Sequence, residues 1–189
     1  MAKVNLRQFD YAKVAQIDSA MWQSYYNHKF YKLFWQMLLL LKNQLGLGWF
    51  KTVRLAFYSA WAAADYRIHR GNTNNTRIEN NLIKFYKLIS DNATEQFDYK
   101  KAGQLEVVWW EIHRASSKSN EQLKKSLAAA VAAMFNENPN KMDKYARYRA
   151  EAMFLPAHTS DKVSKTNWVM VGELLEKSWH ELFISIQNN

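Results

Sequence analysis

The sequence predicts an all-α fold, a single-domain bundle of about seven helices around an aromatic-rich core, and three observations carry that prediction. Apolar residues return every three or four positions along nearly the whole chain, the period of one buried helical face. Only two prolines and five glycines interrupt the 189 residues, so long helices meet few breakers. No run alternates apolar and polar residues with β-branched enrichment, as a half-buried strand would.

Taken in chain order, Asp10 is placed to cap a first helix whose inner face is Val14, Ile17, Met21 and Tyr25. The pattern continues through Phe30, Leu33, Phe34, Met37, Leu38 and Leu41, as one long helix or as two parted at Asn27-His28, until Gly46 and Gly48. Residues 49–70 read as the next helix, with Val53, Phe57, Ala60, Trp61, Ala64 and Ile68 inward and Gly71 closing it. Asn75 or Thr76 opens a helix with Glu79 at the capping-box position and Ile78, Leu82, Phe85 and Ile89 inward. Asp98 caps a helix carrying Ala102, Leu105, Val108, Trp109 and Ile112. An alanine-rich helix follows over residues 122–135, where small side chains let a neighbour approach. A helix over 141–155 should stop before Pro156. Thr166 or Asn167 caps the last helix, whose Trp168, Val171, Leu175, Trp179 (or Ser178), Leu182 and Ile186 approximate a heptad seam.

Residues 1–189 are expected to form one domain, with 1–9 as an arm ahead of the first cap. A hydrophobic share of 48% with 23% charged residues is ordinary for a globular protein. The 15% aromatic share supplies the large rings expected in the core. The absence of cysteine excludes a disulfide framework, a thiolate zinc site and a cysteine nucleophile, and fits a reducing, cytoplasmic setting. The longest apolar stretch, 33–41, falls short of the roughly 20 residues a bilayer span requires, and the first ten residues carry no leader pattern. A net charge of +9 attracts phosphate-rich partners, but lysine and arginine are spread along the chain, as on an ordinary solvated surface.

Candidate binding residues come from two segments. In Trp109-Trp110-Glu111-Ile112-His113-Arg114, Trp110 and His113 share one helical face while Glu111 and Arg114 can pair. His113 would serve as acid or base, and Arg114 as a planar fork for an anion. The alternative is an ordinary surface ion pair at a helix boundary. In Arg147-Tyr148-Arg149-Ala150-Glu151, Arg149 falls among apolar neighbours and must find a carboxylate. Glu111 or Glu106 is the expected partner, with Glu151 completing the candidate set. Asp65 and His69, four apart, could touch one metal ion, but they lack further ligands, so no metal is assigned. The aromatic, basic stretch 28–42 is read as a core helix with its lysines towards water, rather than as a membrane-surface or nucleic-acid element.

Phosphate loops, dinucleotide fingerprints, the nucleophile elbow, His-Glu-x-x-His and Glu-x-x-His are all absent, as is any repeat at a fixed period. The first functional expectation is therefore a non-enzymatic helical binding protein without a cofactor. It would hold an apolar or acidic small ligand in a ring-lined cavity, or self-associate as a homo-oligomer through its last helix. The second is an enzyme of unfamiliar helical type whose Glu111, His113, Arg114, Arg149 and Glu151 converge on one pocket. The third is a nucleic-acid binder, resting on net charge alone.

Overall fold

A computed structural model describes residues 3–68, 75–115, 120–157 and 165–187. The described chain is all-α, with no strand among the described residues beyond an isolated bridge between Val4 and Ala93. Eight α-helices follow in order: α1 (Tyr11–Tyr26), α2 (Phe30–Leu45), α3 (Trp49–Ile68), α4 (Asn75–Ser90), α5 (Tyr99–Arg114), α6 (Asn120–Phe135), α7 (Asp143–Ala157) and α8 (Lys165–Gln187). Each packs on its neighbour in sequence, and α8 returns to pack on α1, so the helices close a circuit.

The expected breaks fall close to where residue chemistry put them. Asp10 accepts from the Lys13 amide at 3.0 Å, and Asp98 caps α5 through the Lys100 and Lys101 amides. Gly46 ends α2 at φ +67°, the left-handed conformation that glycine adopts without cost. The 10–45 segment is two helices, parted where His28 takes φ +55° and the Lys29 amide reaches the Ser24 carbonyl. Pro139 opens a 3-10 turn, Pro139–Met142, that leads directly into α7. Two expected ends are corrected: α7 runs on through Pro156 to Ala157, and α8 begins at Lys165, before its expected cap. The caps proposed at 71–74 and Ser119 lie outside the described residues.

Among residues 3–9, Val4 and Arg7 bond to the helical body. Val4 exchanges backbone hydrogen bonds with Asn92 and Thr94. Arg7 donates to Glu137, to the Phe135 carbonyl and, at 2.6 Å, to the Ile186 carbonyl. One guanidinium thus satisfies orphan carbonyls at the ends of α6 and α8.

The core is more aliphatic and alanine-rich than the composition suggested. Leu47, Leu55, Ile89, Leu123, Met142, Leu175, Leu182 and Ile186 are its largest apolar side chains with almost no exposure. Several rings sit at its margin. In α3 the buried residues are Thr52, Leu55, Ala56, Ala62 and Asp65, while the expected inner residues Phe57, Trp61 and Ala64 face outward. Small residues let α3 lie close to its neighbours, and rings on the opposite stripe have nowhere inside to go. In α5, Ala102, Gly103 and Val107 are buried and Val108 is exposed. A Cβ on Gly103 would stand 2.9 Å from the Ile83 backbone nitrogen, so this mid-helix glycine sets the approach of α4 to α5. The α8 seam is spent inside the fold: Val171, Leu175, Trp179, Leu182 and Ile186 are all buried.

Candidate functional site

The candidate residues are divided between the interior and the surface. Arg149 projects from α7 into the middle of the circuit, and its partner is Asp18 of α1, at 2.8 Å, instead of Glu111. Asp18 is fully buried, and the same Oδ2 accepts from the Trp179 indole at 2.9 Å. The guanidinium carbon lies 5.7, 6.0 and 5.5 Å from the ring centres of Trp22, Tyr145 and Trp179. A cation taken out of water is thus matched by one carboxylate and three ring faces. Burial opposes the charge on Arg149, but Asp18, Tyr145 and Glu106 together hold its pKa above the ordinary guanidinium value.

Glu106 of α5 continues this centre. Its Oε2 accepts from the Tyr86 hydroxyl at 2.9 Å and its Oε1 from the Trp110 indole at 3.0 Å. Burial pushes the Glu106 carboxyl above its usual range, and hydrogen bonds from Trp109, Tyr86 and Trp110 together with Arg149 only partly offset this. Burial also raises the Tyr86 phenol well above its ordinary value, and that of Tyr145 as well. One oxygen of the centre, Asp18 Oδ1, is buried with no hydrogen-bond partner among the described residues.

Trp110 links this interior to the end of the bundle. Its ring meets Tyr66 edge-on at 5.2 Å, and Arg114 stacks over Tyr66 at 3.6 Å while donating to the Tyr66 carbonyl at 2.7 Å. Trp110 and Arg114 thus meet through Tyr66, while Glu106, bonded to Trp110, acts on Arg149 through its charge. Glu111 is exposed, and His113 is half-buried beside Trp109. Glu151 is half-buried, two residues beyond Arg149 and so on another side of α7. Arg149 lies inside and Arg114 on the surface, so the set does not face one common opening. Asp65 pairs with Arg77 at 3.1 Å, while its expected metal partner His69 lies outside the described residues. Among the described residues no group of three or more His, Asp or Glu could hold a metal ion.

The structure exposes a second region that the sequence reading placed in the core. Tyr31 is 97% exposed and Phe50 92%, and Phe30, Trp35, Trp49, Phe57 and Trp61 are each about half exposed or slightly more. On α3, Phe50, Arg54, Phe57, Trp61 and Ala64 form one exposed helical stripe. The rings of α2 and α3 touch: Trp35 stacks on Trp49 at 6.5 Å, and Phe34 meets Phe57 at 5.6 Å. Lys29, Lys32, Arg54 and Arg67 are exposed on these two helices and their join to α1. None of the four forms an ion pair among the described residues, whereas Lys87, Lys124, Lys141 and Lys144 elsewhere each have a carboxylate within 4 Å. A signal for this face was available in the sequence. Between Asp18 and Asp65 there is no acidic residue at all, so nothing in α2 can neutralise its cations.

An open groove of about 600 Å³ runs beside that face, between α3 and α4. Phe57, Tyr58 and Trp61 line one side, and Thr76, Arg77, Asn80, Asn81 and Lys84 the other.

No known family model, curated protein or solved structure matches the chain. The functional reading rests on residue chemistry and geometry alone.

Proposed function

We propose that this chain is a non-enzymatic binding protein that attaches to anionic lipid surfaces through the exposed rings of α2 and α3. One observation carries the reading: two adjacent helices hold seven outward-facing aromatic residues beside exposed cations, and their one carboxylate, Asp65, is buried and paired with Arg77. Rings of this kind settle at the boundary between headgroups and acyl chains, and lysine or arginine beside them contributes about 1 kcal/mol each on an anionic surface. No described helix is long and apolar enough to cross a membrane, so the attachment proposed is to the surface. Contiguous exposed apolar area of this kind marks an interaction site.

Charge selects among the possible occupants. A second copy docked by a two-fold axis would bring the patch that holds Lys29, Lys32 and Arg54 onto the same like-charged patch of its partner. Single-stranded nucleic acid would use the rings for stacking, but its affinity depends on many phosphate contacts, and seven rings here accompany four outward cations. The balance of ring to charge favours partial insertion into lipid.

Vesicle flotation tests the reading. The protein is expected to float with phosphatidylserine-containing vesicles and to remain behind with phosphatidylcholine alone. Added salt should weaken binding without abolishing it, because the ring contribution is not screened. Failure to float with anionic vesicles, or tighter binding to single-stranded DNA or to an acidic polypeptide, would replace lipid with that partner.

A further inference from the structure

The groove between α3 and α4 has a composition that selects a ligand. Arg77, Asn80, Asn81 and Lys84 recur at three- and four-residue spacing, so they form one stripe of α4. Across from them stand Phe57, Tyr58 and Trp61 of α3, and no carboxylate is among the eight lining residues. Lys84 has no ion pair among the described residues. Arg77 pairs with Asp65 through Nε and keeps a largely exposed side chain, so its terminal nitrogens are not consumed by that pair.

These walls exclude some ligand classes. A purely apolar ligand would leave two amides and two cations unsatisfied. A cation would be repelled. A ring with hydroxyl groups and a phosphate satisfies each element: its C–H face lies against Trp61 and Phe57, its hydroxyls exchange hydrogen bonds with Asn80 and Asn81, and its phosphate meets Lys84 and Arg77. The volume, about 600 Å³, is within the range of small-ligand sites and exceeds what a single phosphorylated ring needs. Phe57 and Trp61 also belong to the exposed face, so a groove opening beside them adjoins the headgroup layer of a docked bilayer.

We infer that the α3–α4 groove binds a phosphorylated polyol or sugar ring, carried on a lipid headgroup or free. The placement beside a membrane rests on the lipid reading above; the groove chemistry does not. Calorimetric titration of the full chain with soluble inositol trisphosphate, glucose phosphate, AMP and inorganic phosphate tests it. The expected result is binding of the inositol or glucose phosphate, at least tenfold tighter than inorganic phosphate. Asn81→Leu, which changes no charge, and Lys84→Ala should each weaken that binding about tenfold. Asn81→Leu should leave flotation with phosphatidylserine vesicles unchanged, which also shows that the variant folds. Vesicles doped with phosphatidylinositol phosphate would float the wild type more tightly if the lipid headgroup is the source; soluble binding without that preference points to a free ligand, and either supports the groove. AMP binding as tight as the sugar phosphates would overturn the polyol assignment. No soluble binding, or binding equal in wild type and Asn81→Leu, would overturn the site even if flotation with phosphatidylserine succeeds. Soluble binding without any flotation would keep the groove and remove the membrane reading.

Discussion

The middle of the helical circuit and the outer face of α2 and α3 use similar residue types to opposite ends. In the middle, Trp179, Trp110 and Tyr86 each aim a polar edge at a carboxylate, and Arg149 is matched by Asp18. On the outer face, Phe50, Trp35 and Tyr31 stand open to water, and Lys29, Lys32 and Arg54 have no carboxylate beside them. Neighbouring acids decide which use a ring and a cation are put to. Where acids are present, the group is bound into the fold; where they are absent over a long stretch, the same types remain available to a partner.

The largest difference between the regions should appear when a buried charge is orphaned. Arg149→Met leaves Asp18 buried without its counter-ion and is expected to cost about 3–5 kcal/mol in urea unfolding. Replacing both partners, Asp18→Asn with Arg149→Met, should recover a large part of that loss, because the uncompensated charge is then gone. If the double variant is as unstable as the sum of the singles, the pair is not coupled in the way described.

A smaller effect is expected at the α4–α5 contact. Gly103→Ala places a methyl against the Ile83 backbone and should lower stability by about 1–3 kcal/mol. A neutral or stabilising result would mean the two helices can part without penalty.

The interior also predicts a pH dependence. The folded-state value of Glu106 is raised, so between its unfolded and folded values the native state binds more protons than the unfolded state. That contribution is fully present below the usual carboxylate range and is lost as pH rises through the raised value. Relative to wild type, Glu106→Gln should therefore gain stability as pH rises across this window. A difference curve that is flat with pH would show that Glu106 ionises as a solvated carboxyl does.

The helices were legible in the sequence because their signals are local. Asp10, Asp98 and Gly46 act through their own backbone neighbours, and the apolar period marks a helix whatever packs on it. Which stripe of a helix faces inward was less legible. In α3 both stripes carry apolar residues, and the choice fell to Ala56 and Ala62, whose value lies in letting another helix close in. Arg149 was readable as a buried cation in need of a carboxylate, but its partner Asp18 is remote in the chain and set by closure of α8 on α1 and α7. Trp110 and Arg114 meet through Tyr66, a residue of another helix that no spacing rule connects to them. The exposed face could have been read from the lack of any acid between Asp18 and Asp65, a stretch that covers α2 and most of α3 and escapes a scan made one helix at a time.

The contrast between the two regions is tested most directly by measuring urea unfolding and vesicle partitioning on one variant, Trp35→Ser with Phe50→Ser. Surface changes of this kind usually alter stability by no more than about 0.5 kcal/mol per site. The prediction is an unfolding midpoint close to wild type together with partitioning to phosphatidylserine vesicles reduced about tenfold or more. A midpoint lowered as by a core truncation, with vesicle partitioning unchanged, would contradict it, since those rings would then be supporting the fold and not a partner surface.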